Sequence, residues 1–396
     1  MANIKPPKYV RQVLVTLQSR GYPAYLVGGC VRDMLLGVRP QDWDICTGAL
    51  PEQIMEVFPK ARPTGLKHGT VTVVIDSHAV EVTTFRAESR YGDHRHPDAV
   101  RFVGDLTADL SRRDFTMNAI ALSPDGLTVD PFGGIEDIRR QVIRCVGVPE
   151  ERFEEDALRM FRALRFSARL GFTVELFTME GIRQKAALSA FLAAERVRDE
   201  VEKLLLTRAP ETMYTLVELG LLESFLRTGL PDPALLHRLA RLPRKAALRW
   251  TGLCLILRRA GCITSTEGFL SSLRLDSHTI RMAVDSEELL SGPLPKSDLA
   301  RKRLLRRYGV DTVRCALACR DAFTGARESQ ELRRILKSGE CFSLRHLAVD
   351  GDDLLALGLR GRELGEMLDF LLDYVMEYPD NNRRELLLAL ASRPEE

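Results

Sequence analysis

Asp42 and Asp44 flank Trp43 shortly after the run Tyr25-Leu26-Val27-Gly28-Gly29-Cys30-Val31-Arg32-Asp33, where an apolar stretch breaks into a glycine pair and then a basic residue. In an extended segment residues i and i+2 project from the same face, so the spacing predicts that Asp42 and Asp44 converge on one point. Paired carboxylates suit a hard divalent cation such as Mg2+, which takes oxygen ligands and helps neutralise substrate phosphates. Gly28 and Gly29 allow the backbone close to an anion, and their amides can donate to phosphate oxygens. Arg32 adds a forked positive charge. A Gly-Gly pair alone is commonly a turn, and a lone D-x-D a solvated loop. Together, behind an apolar strand, they describe a nucleotidyl-transfer site.

Three further constellations carry chemistry. Glu81 lies between Val80 and Val82, so it faces away from the valines on its strand. The bland expectation is the exposed polar face of a half-buried sheet; with the valine face packed on helices, Glu81 instead faces an open cleft and can complete a two-metal arrangement as a third carboxylate. In Ser111-Arg112-Arg113-Asp114-Phe115-Thr116-Met117-Asn118-Ala119 the bland expectation is a helix start capped by Ser111 or Asp114. Functionally, the adjacent Arg112 and Arg113 can hold phosphate or ribose oxygens, and Asp114 or Asn118 can accept from or donate to sugar hydroxyls. In Glu155-Asp156-Ala157-Leu158-Arg159-Met160-Phe161-Arg162-Ala163-Leu164-Arg165, Asp156 and Arg159 are predicted as i,i+3 neighbours on one helix. Arg159, Arg162 and Arg165 recur every third residue on one side of that helix.

That last block bears on base selection. Asp156 only accepts, so it wants the amino group of cytosine or adenine; Arg159 only donates, so it wants the adjacent ring nitrogen of the same bases. Guanine and uracil present the reverse pattern and would meet two repulsive contacts. Each unpaired buried polar group costs on the order of 1–3 kcal/mol, enough for strong rejection. The alternative is an ordinary surface ion pair.

The elements that must position these residues follow from periodicity. Lys8 to Arg20 has helical apolar spacing, while Thr70–Ile75 and Ala79–Thr84 are β-branched runs around Asp76-Ser77-His78, a hairpin signal. Leu127–Val129 is another short strand before Asp130-Pro131-Phe132-Gly133-Gly134. From about residue 151 the spacing becomes helical. The expected fold class is α+β: a small mixed sheet with helices in an N-terminal head over residues 1–150, then helical segments over 151–207, 208–340 and 341–396.

At 396 residues, 45% hydrophobic and 28% charged, the composition is that of a multidomain globular protein. No apolar run is long enough to span a bilayer and no signal peptide is evident, which leads us to expect a cytoplasmic protein. The eight cysteines show no paired metal spacing and read as structural thiols. Net charge is only +2, but Arg238, Arg241, Arg244, Lys245, Arg249, Arg258 and Arg259 fall in a stretch without acids, and Arg301-Lys302-Arg303 with Arg306-Arg307 form a second cluster. These two runs point to a polyanion partner such as RNA. Trp250 and the lone His237, His278 and His346 read as packing or surface residues.

The Gly-Gly, D-x-D, R-R-D-F-T-x-N-A and E-D-x-x-R segments together resemble the polymerase-beta-like nucleotidyltransferases, and more narrowly the bacterial class II tRNA nucleotidyltransferases and their poly(A) polymerase relatives. Thr64-Gly65-Leu66-Lys67-His68-Gly69-Thr70-Val71 is similar to the CCA-adding version of its segment, and Phe85 to Val100 resembles the loop those enzymes use in switching from C to A. Ala194–Glu200 resembles the last head-and-neck motif, and Leu347–Leu357 the C-terminal helical domain. The resemblance implies addition of CCA to a tRNA 3′ end from CTP and ATP. It further implies catalytic Asp42, Asp44 and Glu81, with Mg2+ on Asp42 and Asp44. Gly28, Gly29 and Arg32 would hold the triphosphate, Arg113 and Asp114 the ribose and phosphate. Asp156 and Arg159 would read the base, supported by Arg162 and Arg165. The helical body would clamp the acceptor and T-arm of tRNA through its backbone, the protein acting as a monomer or weak dimer. The alternatives are an A-adding or CC-adding specialist, a poly(A) polymerase, or an inactive RNA-binding relative.

Overall fold

The computed structural model describes residues 4–88 and 100–392, which fall into two compact units, Met1–Phe225 and Leu226–Glu396. The first is built on a seven-stranded mixed sheet. Its strands are β1 (Ala24–Val27), β2 (Asp44–Thr47), β3 (Arg62–Gly65), β4 (Thr70–Ile75) and β5 (His78–Thr84). After a separate ribbon of β6 (Arg86–Glu88) and β7 (Val100–Phe102), the short strands β8 (Ala121–Leu122) and β9 (Thr128–Val129) complete it. The order across the sheet is β3-β4-β5-β2-β1-β8-β9. β2 runs parallel to β5, and β1 is antiparallel to both β2 and β8.

The sequence explains these elements locally. The expected hairpin forms between β4 and β5, and Asp76 (φ 47°) and Ser77 (φ 64°) take the paired left-handed conformation of the turn that matches strand twist. Val71, Val73, Val80 and Val82 are buried on one face, while Glu81 lies exposed on the other. The helix α1 (Lys8–Ser19) buries Val10, Val13, Leu14 and Leu17, a three-four-seven stripe. The other helices of this unit are α2 (Gly29–Leu35), α3 (Pro51–Val57), α4 (Leu106–Ser111), α5 (Gly134–Arg140), α6 (Pro149–Glu155), α7 (Leu158–Leu170), α8 (Leu176–Lys185), α9 (Ala194–Leu205) and α10 (Met213–Glu218).

Two local expectations are corrected. Ser111 does not open a helix: it closes α4, whose N-cap is Asp105, accepting from the amides of Thr107 and Ala108. Asp156 and Arg159 do not share a helix. Asp156 has extended backbone (φ −148°, ψ 102°) in the break between α6 and α7. The polar stretch expected to act as a loop between Phe85 and Val100 lies, over residues 89–99, outside the described residues.

The second unit is helical: α11 (Pro233–Arg238), α12 (Ala246–Arg259), α13 (Thr266–Ser272), α14 (Ser277–Ser291), α15 (Asp298–Tyr308), α16 (Val310–Thr324), α17 (Glu328–Ser338), α18 (Gly351–Ala356), α19 (Gly361–Glu377) and α20 (Arg384–Ala391). Its basic runs are largely spent inside the unit. Arg249 is 1% exposed and donates to the carbonyls of Ala240, Leu242 and Pro243. Arg238 and Arg241 reach the carbonyls of Phe323 and Ala322. Arg258 pairs with Glu287, Arg301 with Glu328, Arg306 with Asp369 and Asp373, and Arg307 with Glu288. Lys302 is buried against Glu340 and the Met376 carbonyl. Much of the charge in the two clusters is thus paired with acids and carbonyls inside the unit, which narrows the set of basic side chains left for an RNA partner. Trp250 is fully buried, as a packing residue. Among the described residues no helix is long and apolar enough to cross a membrane.

Candidate active site

The parallel pairing of β2 with β5 sets Asp44 directly opposite Glu81. Trp43 and Ile45 are buried on the far side of the strand, 7% and 1% exposed, so alternation turns Asp44 toward the same open face as Glu81. Asp42 lies exposed in the bend before the strand. Burial raises the Asp44 carboxyl above the usual carboxylate range; Glu81 and Asp42 add like-charge repulsion, and Arg113 opposes them. A carboxylate held between two others and partly desolvated is short of a cation.

Arg113 approaches from the end of α4. Its Nη2 bonds Asp109 Oδ2 at 3.1 Å, and a methyl group built on Gly28 would lie 3.0 Å from its Nη1 and 3.8 Å from Asp44 Oδ2. Gly28 also has φ +74°, a left-handed conformation that side chains resist. Glycine is required there twice over, and the requirement brings a backbone turn, a guanidinium and a carboxylate together. The Nε of Arg113 is buried without a hydrogen-bond partner among the described residues, an orphaned donor beside the turn. Gly29 opens α2, and Arg32, four residues past Gly28, is 3% exposed. Its donors go to Asp33 Oδ1 at 2.9 and 2.7 Å and to Asn118 Oδ1 at 2.7 Å. The forked charge expected of Arg32 is thus already paired with Asp33, beside Gly29.

Asp114 accepts from its neighbour Phe115 N at 2.8 Å and Asn118 Nδ2 at 2.9 Å on one oxygen, and from Arg162 Nε and Nη2 at 2.9 and 2.7 Å on the other. Burial would raise its pKa, but the Arg162 guanidinium and the Asn118 amide outweigh it and hold the group at about 2. Arg165, 7% exposed, pairs with Glu200 on α9. Arg32, Arg162 and Arg165 sit 5.1, 5.3 and 4.1 Å from the ring centre of Phe166, itself 4% exposed.

At the α6–α7 break, Asp156 accepts from Leu158 N at 3.1 Å and from Arg196 Nη2 at 2.9 Å. Arg159 pairs with Glu155 at 2.5 Å and donates to the carbonyls of Arg152 and Arg112 at 3.1 and 3.0 Å. Asp156 thus does not neutralise Arg159; each is set by its own partner, and the ordinary surface pair between them does not form. The sequence reading missed Asp109, Glu155, Phe166, Arg196 and Glu200. Asp109 and Glu155 did give a signal, their helical spacing to Arg112 and Arg113 and to Arg159.

Among the described residues no three His, Cys, Asp or Glu side chains form a complete metal cluster. The two aspartates with Glu81 opposite are nevertheless an all-oxygen set that fits a hard divalent ion whose remaining ligands are substrate phosphates and water.

A mixed sheet carrying these carboxylates beneath a Gly-Gly turn, with arginines from the following helices, defines a polymerase-type nucleotidyltransferase head. Residues 24–144 match the Poly A polymerase head domain family, and residues 171–232 match the family described as the probable RNA and SrmB-binding site of polymerase A. The chain is 41% identical to a CCA-adding enzyme of Geobacillus sp. (strain WCH70) over 350 residues, covering 87% of this chain and 85% of that one. It is 38% identical to the CCA-adding enzyme of Geobacillus stearothermophilus over 399 residues, 98% and 97% of the two chains. Its fold is similar to the crystal structure of the Bacillus stearothermophilus CCA-adding enzyme in complex with CTP, with a TM-score of 0.83, 37% identity, and coverage of 98% and 97%. The chain belongs to the family of CCA-adding enzymes. Membership implies use of a divalent metal ion.

Proposed function

We propose that this protein extends tRNA 3′ ends by C, C and A from CTP and ATP, with no nucleic-acid template. The observation that carries the reading is the Asp44–Glu81 register beneath Gly28 and Arg113. Asp42 and Asp44 hold Mg2+, which when bound polarises the α-phosphate and acidifies the attacking 3′-hydroxyl. Glu81 adds negative charge beside that hydroxyl. The Gly28 and Gly29 turn and Arg113 take the triphosphate, with the unpartnered Nε of Arg113 as one donor. Arg32 braces the turn from behind.

Asp156 and Arg159 read the base edge: amino group to the carboxylate, ring nitrogen to the guanidinium. Asp114 fixes Arg162 and offers its remaining acceptor capacity to a ribose hydroxyl, while Arg165 supports Arg162 through their shared Glu200. Along the chain we assign a catalytic head (1–150), a base-reading neck (151–207), and a helical body (208–340) and tail (341–396) that hold the tRNA acceptor and T-arm; the body begins in the first compact unit and continues in the second. The eight buried free thiols fit a cytoplasmic enzyme.

The test is incubation with Mg2+ and three tRNA transcripts, ending before CCA, after C and after CC, with labelled CTP and ATP supplied singly and together. Growth of the shortest transcript by C, C and then A supports the reading. Addition of one A to the CC transcript alone would reduce it to an A-adding specialist, and no incorporation would overturn it.

A further inference from the structure

Asp109 is fully buried in α4. Its Oδ1 accepts from Arg86 N at 3.3 Å and from Arg112 Nε and Nη2 at 3.0 and 2.8 Å; its Oδ2 accepts from Arg113 at 3.1 Å. One carboxylate therefore serves two guanidiniums and a backbone amide. Burial alone would raise its pKa, but the two arginines hold it below the usual range, so it is a fixed negative charge. Arg113 feels both this carboxylate and Asp44, and its Nη1 and Asp44 Oδ2 both crowd the position of a methyl group on Gly28. Its ion pair is with Asp109, and among the described residues it makes none within 4.0 Å with Asp44, although it is the positive charge that Asp44 feels.

We propose that Asp109 is a positioning residue that holds the Arg113 guanidinium off Asp44, so that Asp44 stays open to a divalent cation. The inference rests on the metal role of Asp44 given above. Arg113 needs a carboxylate, because a partly buried guanidinium left alone is costly. Two are within its reach. Asp109 sits one helical turn before Arg113, and α4, capped by Asp105, fixes that spacing. Three other donors hold Asp109 in place, so it cannot follow Arg113 toward the cleft. Without the Asp109 charge, the nearest remaining carboxylate is Asp44, and an Arg113–Asp44 pair would occupy the lone pairs that a metal needs. The arginine is thus kept close enough to meet phosphate yet off the metal ligand.

The experiment follows Mn2+ binding by loss of the free-ion electron paramagnetic resonance signal, without tRNA and with and without CTP, in wild type, Asp109→Asn, Arg113→Gln and the double variant. Circular dichroism confirms that each is folded. The proposal expects Asp109→Asn to weaken Mn2+ binding roughly tenfold, the scale of one close charge pair in a partly screened site. It expects Arg113→Gln in the Asp109→Asn background to restore Mn2+ binding toward the wild-type value, although transfer is not restored. Equal impairment of the single and double variants would mean a purely structural role and overturn it. Should Asp109→Asn fail to fold, Arg113→Gln alone decides: Mn2+ binding without CTP at least as tight as wild type supports the proposal, and weaker binding contradicts it. A wild type that binds Mn2+ but adds no nucleotide would instead defeat the functional reading.

Discussion

Asp44 is a carboxylate whose surroundings disfavour its charge: it is partly buried, Glu81 lies across the register and Asp42 two residues away, with only Arg113 in opposition. That is the arrangement expected where a site stores electrostatic strain for a cation. Asp44→Asn should therefore abolish transfer yet raise the melting temperature of the metal-free protein by a few degrees, the usual scale for relieving about 1 kcal/mol; a lower melting temperature would contradict this account. Asp114 is the opposite case. Its native pKa of about 2 lies below the ordinary 3.8, so its contribution is fully present above pH 4 and is lost as pH falls toward 2. The difference corresponds to roughly 2 kcal/mol. In acid unfolding followed by circular dichroism, Asp114→Asn should lack this part of the pH dependence. The carboxylates and glycines of the site were legible in the sequence because their chemistry depends on residue type and short spacing. The arginine partners were legible only where they are local, as Asp33, Asp109 and Glu155 are; Asp114 for Arg162 and Glu200 for Arg165 were chosen by the fold from many acids.

The elements do their positioning through strand register and through breaks. The β4–β5 hairpin and α1 were readable from valine alternation and a three-four stripe, since one face of each is buried. The break between α6 and α7 was not, because Glu155 to Arg165 has an unbroken helical pattern and only the local backbone at Asp156 shows the interruption. That break lets Asp156 turn to Arg196 while Arg159 turns to Glu155. Another constraint sits at α5, where a methyl group on Gly134 would lie 2.1 Å from the Thr116 carbonyl oxygen. The helix start is thus pressed onto the segment that carries Asp114 and Asn118. Gly134→Ala should destabilise the protein by about 2–4 kcal/mol, measured by denaturant unfolding, and an unchanged midpoint would contradict the packing.

Across the whole molecule, charge is the property whose residue-by-residue use the sequence shows least. The basic runs of the second unit look like an RNA face in one dimension, yet most of their arginines are committed to acids and carbonyls on other helices. Arg244, Lys245 and Arg259 are exposed, with neither an ion pair nor a side-chain hydrogen bond among the described residues. Their joint replacement by Gln should weaken tRNA binding and lower its salt slope by up to about 0.9 for each phosphate they neutralise, with unfolding unchanged. Lys302→Ala should do the reverse, costing about 2 kcal/mol or more of stability by stranding Glu340 and the Met376 carbonyl. Equal effects of both changes on tRNA binding would refute this division. The protein as a whole must also do what no single element does, which is to choose C and A without a pairing strand. The most direct measurement of that claim is competition between CTP and UTP for one tRNA transcript ending before CCA, in wild type and in Asp156→Ala. The account predicts that the preference for CTP falls by tenfold or more in the variant while its KM for CTP changes less. An unchanged preference would show that the protein side chain at position 156 does not template the base.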